Sequence, residues 1–141
     1  MKRIILFALS IIILGTAIPT RCSRPDPSEE LLRKSTEEIL EYLLEITPVG
    51  SRIQDVLALI NSNEDWTLRY VNNSYGFAMR NGRPSEPSSA DIADGNVVGT
   101  QSVRVLIGSY WSSPIAIYIT HVAVFWAFDG NSNLVDIQVR K

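Results

Sequence analysis

The chain has 141 residues, enough for one domain with its own hydrophobic core and too few for two domains of ordinary size. Its 13 Lys and Arg against 15 Asp and Glu give a net charge of −2, which argues against binding to the phosphates of a nucleic acid. Cys22 is the only cysteine, which excludes an intrachain disulfide and leaves the core as the source of stability.

The first 17 residues have the three parts of a secretory signal peptide. Residues 1–3 form a short cationic segment, residues 4–14 are almost wholly apolar, and residues 15–17 supply the small side chains of a cleavage site. The apolar run ends at Pro19 and is shorter than the about 20 residues of a membrane-spanning helix. We therefore expect cleavage after Ala17 and a mature protein that is secreted or lies in the periplasm or cell envelope.

Cys22 follows this leader at the distance at which a bacterial lipoprotein has its lipidated cysteine. A lipobox has a small residue directly before that cysteine and a leucine-like residue three positions before it, where this chain has Arg21 and Pro19. We therefore favour an unmodified Cys22 in a flexible tether of residues 18–27, with lipidation as the alternative. Membrane contact is expected only if Cys22 is lipidated or the leader is retained.

Residues 28–141 are predicted to form a single α+β domain that begins with a helix. Asp26 fits a helix N-cap, Pro27 the first helical position and Glu29 the third. Apolar residues then recur every three or four positions, which predicts one continuous helix to about Ile46.

A second helix is predicted directly after a break at residues 47–50. Ser51 and Gln54 have the spacing of a capping box, and the polar residues 61–63 end the apolar pattern that follows. Two helices joined so closely need another layer to cover their apolar faces.

Alternating apolar residues predict that this layer is an antiparallel sheet of about four strands. Residues 66–79 predict one bent strand or two short ones, and residues 98–107 predict the next. Residues 115–128 are the most apolar segment and are predicted to lie centrally, followed by a turn at 129–133 and a last strand at 135–140. The expected order is helix, helix, meander.

Two predicted connections leave alternatives open. Asn72 begins a glycosylation sequon, which has meaning only in a eukaryotic secretory pathway.

Residues 80–96 are predicted as the longest loop, of a length that is typical of functional or mobile segments. Asp91 and Asp94 in this loop could serve acid–base chemistry if a cleft held them, and a solvated loop is the simpler interpretation.

His121 is the only histidine and lies inside a predicted strand. Catalysis would require a nucleophile and an orienting acid beside it, and a closed zinc site needs more ligands than one histidine and one cysteine. We therefore favour a structural, hydrogen-bonded histidine and predict no catalytic, cofactor or metal site.

The turn at 129–133 partly matches a calcium-binding loop. Asp129, Asn131 and Asn133 fit the first three ligand positions of an EF-hand, but Leu134 replaces its glycine and Arg140 its last glutamate. We predict a polar turn without calcium, because such side chains satisfy the backbone of turns.

Tyr110 and Trp111 are predicted to begin a turn at residues 110–114. Exposed aromatic side chains are frequent anchors of protein interfaces, so this turn is the candidate partner-binding site. The alternative, which stays open, is a turn folded back over the core.

Two short segments are similar to motifs of a known family. One is Gly50-Ser51-Arg52-Ile53-Gln54-Asp55-Val56 at the start of the second helix, and the other is the terminal hairpin formed by residues 124–130 and 134–137. Together with the order of elements, they resemble the small envelope domains of the SmpA/OmlA (BamE) type and the related β-lactamase-inhibitor-protein fold. The resemblance implies a protein-binding domain without enzymatic activity.

From the sequence we expect an exported protein-binding or adaptor domain without catalytic activity. Another protein would be its partner, contacted through the sheet face or the Tyr110–Trp111 turn. One alternative is a secreted inhibitor or immunity-type protein. Another is a small secreted enzyme, which would need His121 in a cleft beside the carboxylates of Asp91 and Asp94.

Overall fold

The computed structural model describes residues 27–113, residue 115 and residues 117–141. The predicted signal peptide with its cleavage site at Ala17, Cys22, and all but the last residue of the predicted tether lie outside the described residues. The described elements are, in chain order, α1 (Pro27–Arg33), α2 (Thr36–Ile46), α3 (Ile53–Ser62), β1 (Thr67–Asn72), β2 (Phe77–Arg80), β3 (Arg83–Ser85), α4 (Ser89–Ala93), β4 (Val97–Val98), β5 (Gln101–Trp111), β6 (Ile119–Phe128) and β7 (Leu134–Arg140).

Four antiparallel strands form the main sheet, in the order β1-β5-β6-β7. The predicted α+β fold, with helices followed by a four-stranded antiparallel sheet, is therefore confirmed. The chain adds an insertion to it: between β1 and β5 it forms a second, small sheet in the order β3-β2-β4, together with α4.

The single helix predicted up to Ile46 is divided into α1 and α2. Ser35 caps α2, because its side chain accepts a hydrogen bond from Glu38 N at 3.1 Å while the Glu38 carboxylate accepts one from Ser35 N at 2.8 Å. A capping box of this kind satisfies backbone donors that a continuous helix would satisfy with carbonyls. The apolar spacing continues across the break, so periodicity alone did not reveal it.

Helix α3 begins at Ile53 without the capping box predicted for Ser51 and Gln54. The Ser51 hydroxyl instead donates to Pro48 O at 2.7 Å, and Ser51 O accepts a hydrogen bond from Leu134 N at 2.8 Å. The backbone before α3 is thus tied to the start of β7, and the helix begins only after that contact.

The prediction of an irregular loop over 80–96 is wrong. Asn81 and Gly82 have φ values of 51° and 71°, the positive angles that a two-residue hairpin turn with this sequence favours, and they join β2 to β3. Ser88 then caps α4 through a reciprocal pair of hydrogen bonds with Asp91.

The larger core lies between the helices and one face of the main sheet, here called the inner face. Trp126 of β6 is fully buried there, and its Nε1 donates to Thr47 Oγ1 at 3.2 Å, while that hydroxyl donates to Leu43 O at 2.6 Å. This chain of bonds joins the end of α2 to the centre of the sheet. Fourteen other buried side chains complete the core: Leu32, Ile39, Leu43, Val56, Ile60, Val103, Val105, Ile107, Val122, Val124, Phe128, Leu134, Ile137 and Val139.

The opposite face of the main sheet, here called the outer face, is partly covered by the small sheet. Phe77 of β2 packs edge-on against Phe125 of β6, with ring centroids 5.9 Å apart, and Ala123 and Ala127 flank this contact. The small sheet therefore has its own core, and the part of the outer face beyond it remains accessible.

Candidate functional site

A cluster of large apolar side chains is exposed where β5 turns into β6. Trp111 is 54% exposed, Ile115 92%, Ile117 87% and Tyr118 76%, and Ile119 beside them is also exposed. We call these five residues the hairpin tip. Single exposed apolar side chains are common on protein surfaces, but several in one short segment make that segment a candidate interaction site.

Hydrogen bonds hold the base of the hairpin tip against α1. Trp111 pairs with Ile119 across the two strands, and Trp111 O accepts a hydrogen bond from Arg33 Nη1 at 3.3 Å. Arg33 is itself held by Glu29, at 2.6 Å between Nη2 and Oε1. The exposed side chains thus project from a supported end of the sheet.

The two aromatic residues predicted as an interface lie on opposite faces of β5. Both belong to the strand, so the turn predicted for 110–114 starts later than expected, and β6 begins at Ile119. Tyr110 is half-buried against the larger core, with the guanidinium carbon of Arg33 5.1 Å from its ring centroid. Tyr110 is therefore folded back against the core, whereas Trp111 is exposed, as an interface residue must be.

His121 is exposed on the outer face, and its side chain makes no hydrogen bond to another described residue. The prediction of a hydrogen-bonded structural histidine is therefore wrong. The cavity beside His121 is lined by Arg69, Arg104, Leu106, Ala123 and Arg140 and contains no carboxylate.

Asp91 has a structural role away from His121. Its carboxylate pairs with Arg80 and accepts hydrogen bonds from the backbone and hydroxyl of Ser88, at 2.7 and 2.6 Å. Asp94, the second residue of the predicted carboxylate pair, follows the end of α4 as its C-cap. The described residues therefore do not bring His121, Asp91 and Asp94 together as the enzyme alternative requires.

The contacts of Asp91 predict how their contribution to stability depends on pH. Hydrogen bonds from Arg80, then from Ser88, lower the pKa of Asp91 from an ordinary value of 3.8 to about 2. Their stabilising effect is present above about pH 4 and is lost as the pH falls through about 2. We expect an NMR titration of the Asp91 carboxyl to give this low pKa, and Arg80→Ala to raise it towards 3.8. The same titration midpoint in both proteins would contradict the contact.

Asp129 organises the turn between β6 and β7, where a turn was predicted. Its Oδ1 accepts hydrogen bonds from Asn131 N and Asn133 N, both at 2.9 Å, and the bond from Asn133 is the main cause of its lowered pKa. The carboxylate is thus engaged by the backbone of its own turn. Among the described residues, no three His, Cys, Asp or Glu side chains lie close enough to hold a metal ion together.

No family model, curated protein or solved structure matches this chain. Among the helices of the described segments, none is both long and apolar enough to cross a membrane.

Three arginines form a second feature of the outer face, which the sequence reasoning did not identify. Arg69, Arg104 and Arg140 line the cavity beside His121, which has a volume of about 230 Å³, and we call this cavity the arginine groove. The three come from β1, β5 and β7 and are far apart in the sequence. Their alternation with apolar residues indicated the outer face, but only the register of the strands places them in one groove.

Proposed function

We propose that this chain is an exported protein-binding domain that uses the hairpin tip to contact another protein. The observation behind the proposal is the exposure of Trp111, Ile115, Ile117 and Tyr118 in one short segment. Burying such side chains in a partner removes apolar surface from water, at about 25 cal/mol for each Å². Tryptophan and tyrosine are also the residues most enriched among those that dominate the free energy of binding.

The contacts that order the base of the hairpin tip are a second observation in favour of binding. The bond from Arg33 to Trp111 O and the long ladder between β5 and β6 order the base of the tip before any partner arrives. A preordered surface loses less conformational entropy on association. A protein-binding role is also what the resemblance to the SmpA/OmlA (BamE) type implies.

An inhibitor or immunity-type protein would use the same surface. Only the identity of the partner distinguishes such a protein from an adaptor. The enzyme alternative has less support, because the cavity beside His121 is lined by arginines and Asp91 is held by Arg80 and Ser88.

Affinity capture from the producing cells tests the proposal with matched variants. We expect the wild-type chain and Tyr42→Ala to recover the same protein in stoichiometric amount, and Trp111→Ala to lose it. Tyr42 is a suitable control because it is an aromatic residue of α2 that is 40% exposed and does not belong to the hairpin tip. Recovery of the partner by all three proteins would contradict the proposal. A second contradicting result would be that the wild-type chain floats with protein-free lipid vesicles and Trp111→Ala does not, since the tip would then bind lipid.

A further inference from the structure

Two guanidinium groups of the arginine groove are held in place before any ligand binds. The guanidinium carbons of Arg104 and Arg140 lie 5.4 and 5.5 Å from the centroid of the Phe125 ring. Arg140 also donates a hydrogen bond from Nη1 to Pro84 O at 3.3 Å. Cation–π contacts of this kind favour arginine and restrict its side chain, so a ligand meets preordered donors.

The positive charge of the groove is not neutralised within the part of the chain that the structure describes. The ion pairs there, Arg33–Glu29 and Arg80–Asp91, include none of the groove arginines. The Nε atom of Arg104 is buried and has no hydrogen-bond acceptor among the described atoms. A buried donor without an acceptor is unfavourable, and an anionic ligand in the groove would supply an acceptor.

The groups around the groove indicate what kind of ligand it favours. Burial first, and then the positive charges of Arg104 and Arg83, lower the pKa of Arg140. Burial first, and then the negative charge of Glu86, raise the pKa of the Tyr70 hydroxyl. Glu86 therefore acts on Tyr70, which is paired with Arg104 across β1 and β5, but it forms no ion pair with a described arginine. Additional negative charge in the groove would reduce the repulsion between the arginines.

The rest of the domain is acidic, which limits the anions that can approach. Residues 27–141 have fourteen Asp and Glu against nine Lys and Arg, and α1 and α2 together contain six glutamates. A long polyphosphate chain would be repelled by most of this surface, whereas a short acidic segment could reach the groove alone. Carboxylates also match the planar donor pattern of a guanidinium group.

The arginine groove lies on the same face of the main sheet as Trp111 and Ile119, the two strand residues of the hairpin tip. Directly paired residues of antiparallel strands share a face, and the pairs Trp111–Ile119, Ser109–His121 and Leu106–Ala123 follow one another along β5 and β6. Arg140 is paired with Ala123 at the end of this series. The outer face is therefore continuous from the apolar tip to the groove.

We propose that the arginine groove binds aspartate or glutamate side chains of the partner protein. The partner's binding segment would then combine apolar side chains for the hairpin tip with an acidic stretch for the groove. The inference rests on the proposed function for the shared partner, while the preference of the groove for carboxylates can be tested separately.

Hexaglutamate with blocked termini is a suitable probe, added to the isotope-labelled full chain at low salt. We expect saturable shifts of the Arg104 and Arg140 Nε–H signals, no such shifts with hexaglutamine, and weakening by added salt. Arg69→Gln and Arg104→Gln should each weaken binding by at least about ten-fold, the loss of one charge-assisted hydrogen bond. Arg69 is exposed and its side chain has no described hydrogen bond or ion pair, so its variant remains informative if Arg104→Gln fails to fold.

Arg52→Gln is the matched control, because Arg52 is an exposed arginine at the start of α3, in a different cavity. Equal binding by wild type, Arg69→Gln and Arg104→Gln would overturn the inference. So would inorganic phosphate that produces the same shifts at lower concentration than hexaglutamate.

Trp111→Ala separates the two proposals. Hexaglutamate binding that persists in Trp111→Ala and is lost in Arg69→Gln supports carboxylate binding by the groove. That result does not depend on whether the hairpin tip binds a partner. Partner capture could instead fail with Trp111→Ala but persist with Arg69→Gln. That result would contradict the role of the groove in partner binding and would still support the proposed function.

Discussion

Phe77→Ala is expected to lower the free energy of unfolding by about 3 to 5 kcal/mol, the usual cost of removing a fully buried phenylalanine ring. Phe77 is completely buried, and its edge-on contact with Phe125 is the main apolar link between the small sheet and the main sheet. The loss would leave a cavity beneath β2. Urea denaturation followed by circular dichroism measures the change.

Met79→Ala is the control for this prediction, because Met79 lies two residues further along β2 and is 41% exposed. We expect it to change the free energy of unfolding by less than about 1 kcal/mol, as surface substitutions usually do. Equal effects of the two substitutions would show that the small sheet does not pack on Phe125.

Trp126→Ala is expected to have an effect of similar size on the inner face, about 3 to 5 kcal/mol. The substitution removes a fully buried indole that contacts Trp66, with ring centroids 6.3 Å apart, and that donates to Thr47 Oγ1. The helices would lose both packing and a hydrogen bond to the sheet. The same denaturation experiment measures the effect.

Trp111→Ala provides the comparison for Trp126→Ala with the same chemical change. Trp111 is 54% exposed, and the bond that holds this part of β5 uses its backbone oxygen, which the substitution retains. We expect a change in the free energy of unfolding below about 0.5 kcal/mol. A large loss would mean that Trp111 supports the fold, and its binding variants could then not be interpreted.

The sequence predicted those parts of the fold that depend on local patterns. Alternation predicted the antiparallel strands, and Asp129 with its polar neighbours predicted the turn between β6 and β7, which is confirmed. The break at Ser35 was missed because the apolar spacing continues across it. The β2–β3 hairpin was missed although Asn81-Gly82 is a strong turn signal, because prolines and serines nearby suggested an irregular loop.

The candidate site depends more on strand pairing than on local pattern. That Tyr110 and Trp111 face opposite ways follows from the strand continuing through both, where a turn was expected. The arginine groove depends on β5 pairing with both β1 and β6, which joins residues far apart in the sequence. The predicted meander already has this order, but it leaves open the register of the strands, since a shift by two residues keeps the same alternation.

Photo-crosslinking tests most directly whether the hairpin tip contacts a partner protein. A benzophenone amino acid would replace Ile117, which is 87% exposed, or Tyr42 of α2 in a matched protein, and both would be irradiated in the producing cells. We expect a covalent adduct with one protein from position 117 and none from position 42. An adduct with that protein from position 42 alone would contradict the account.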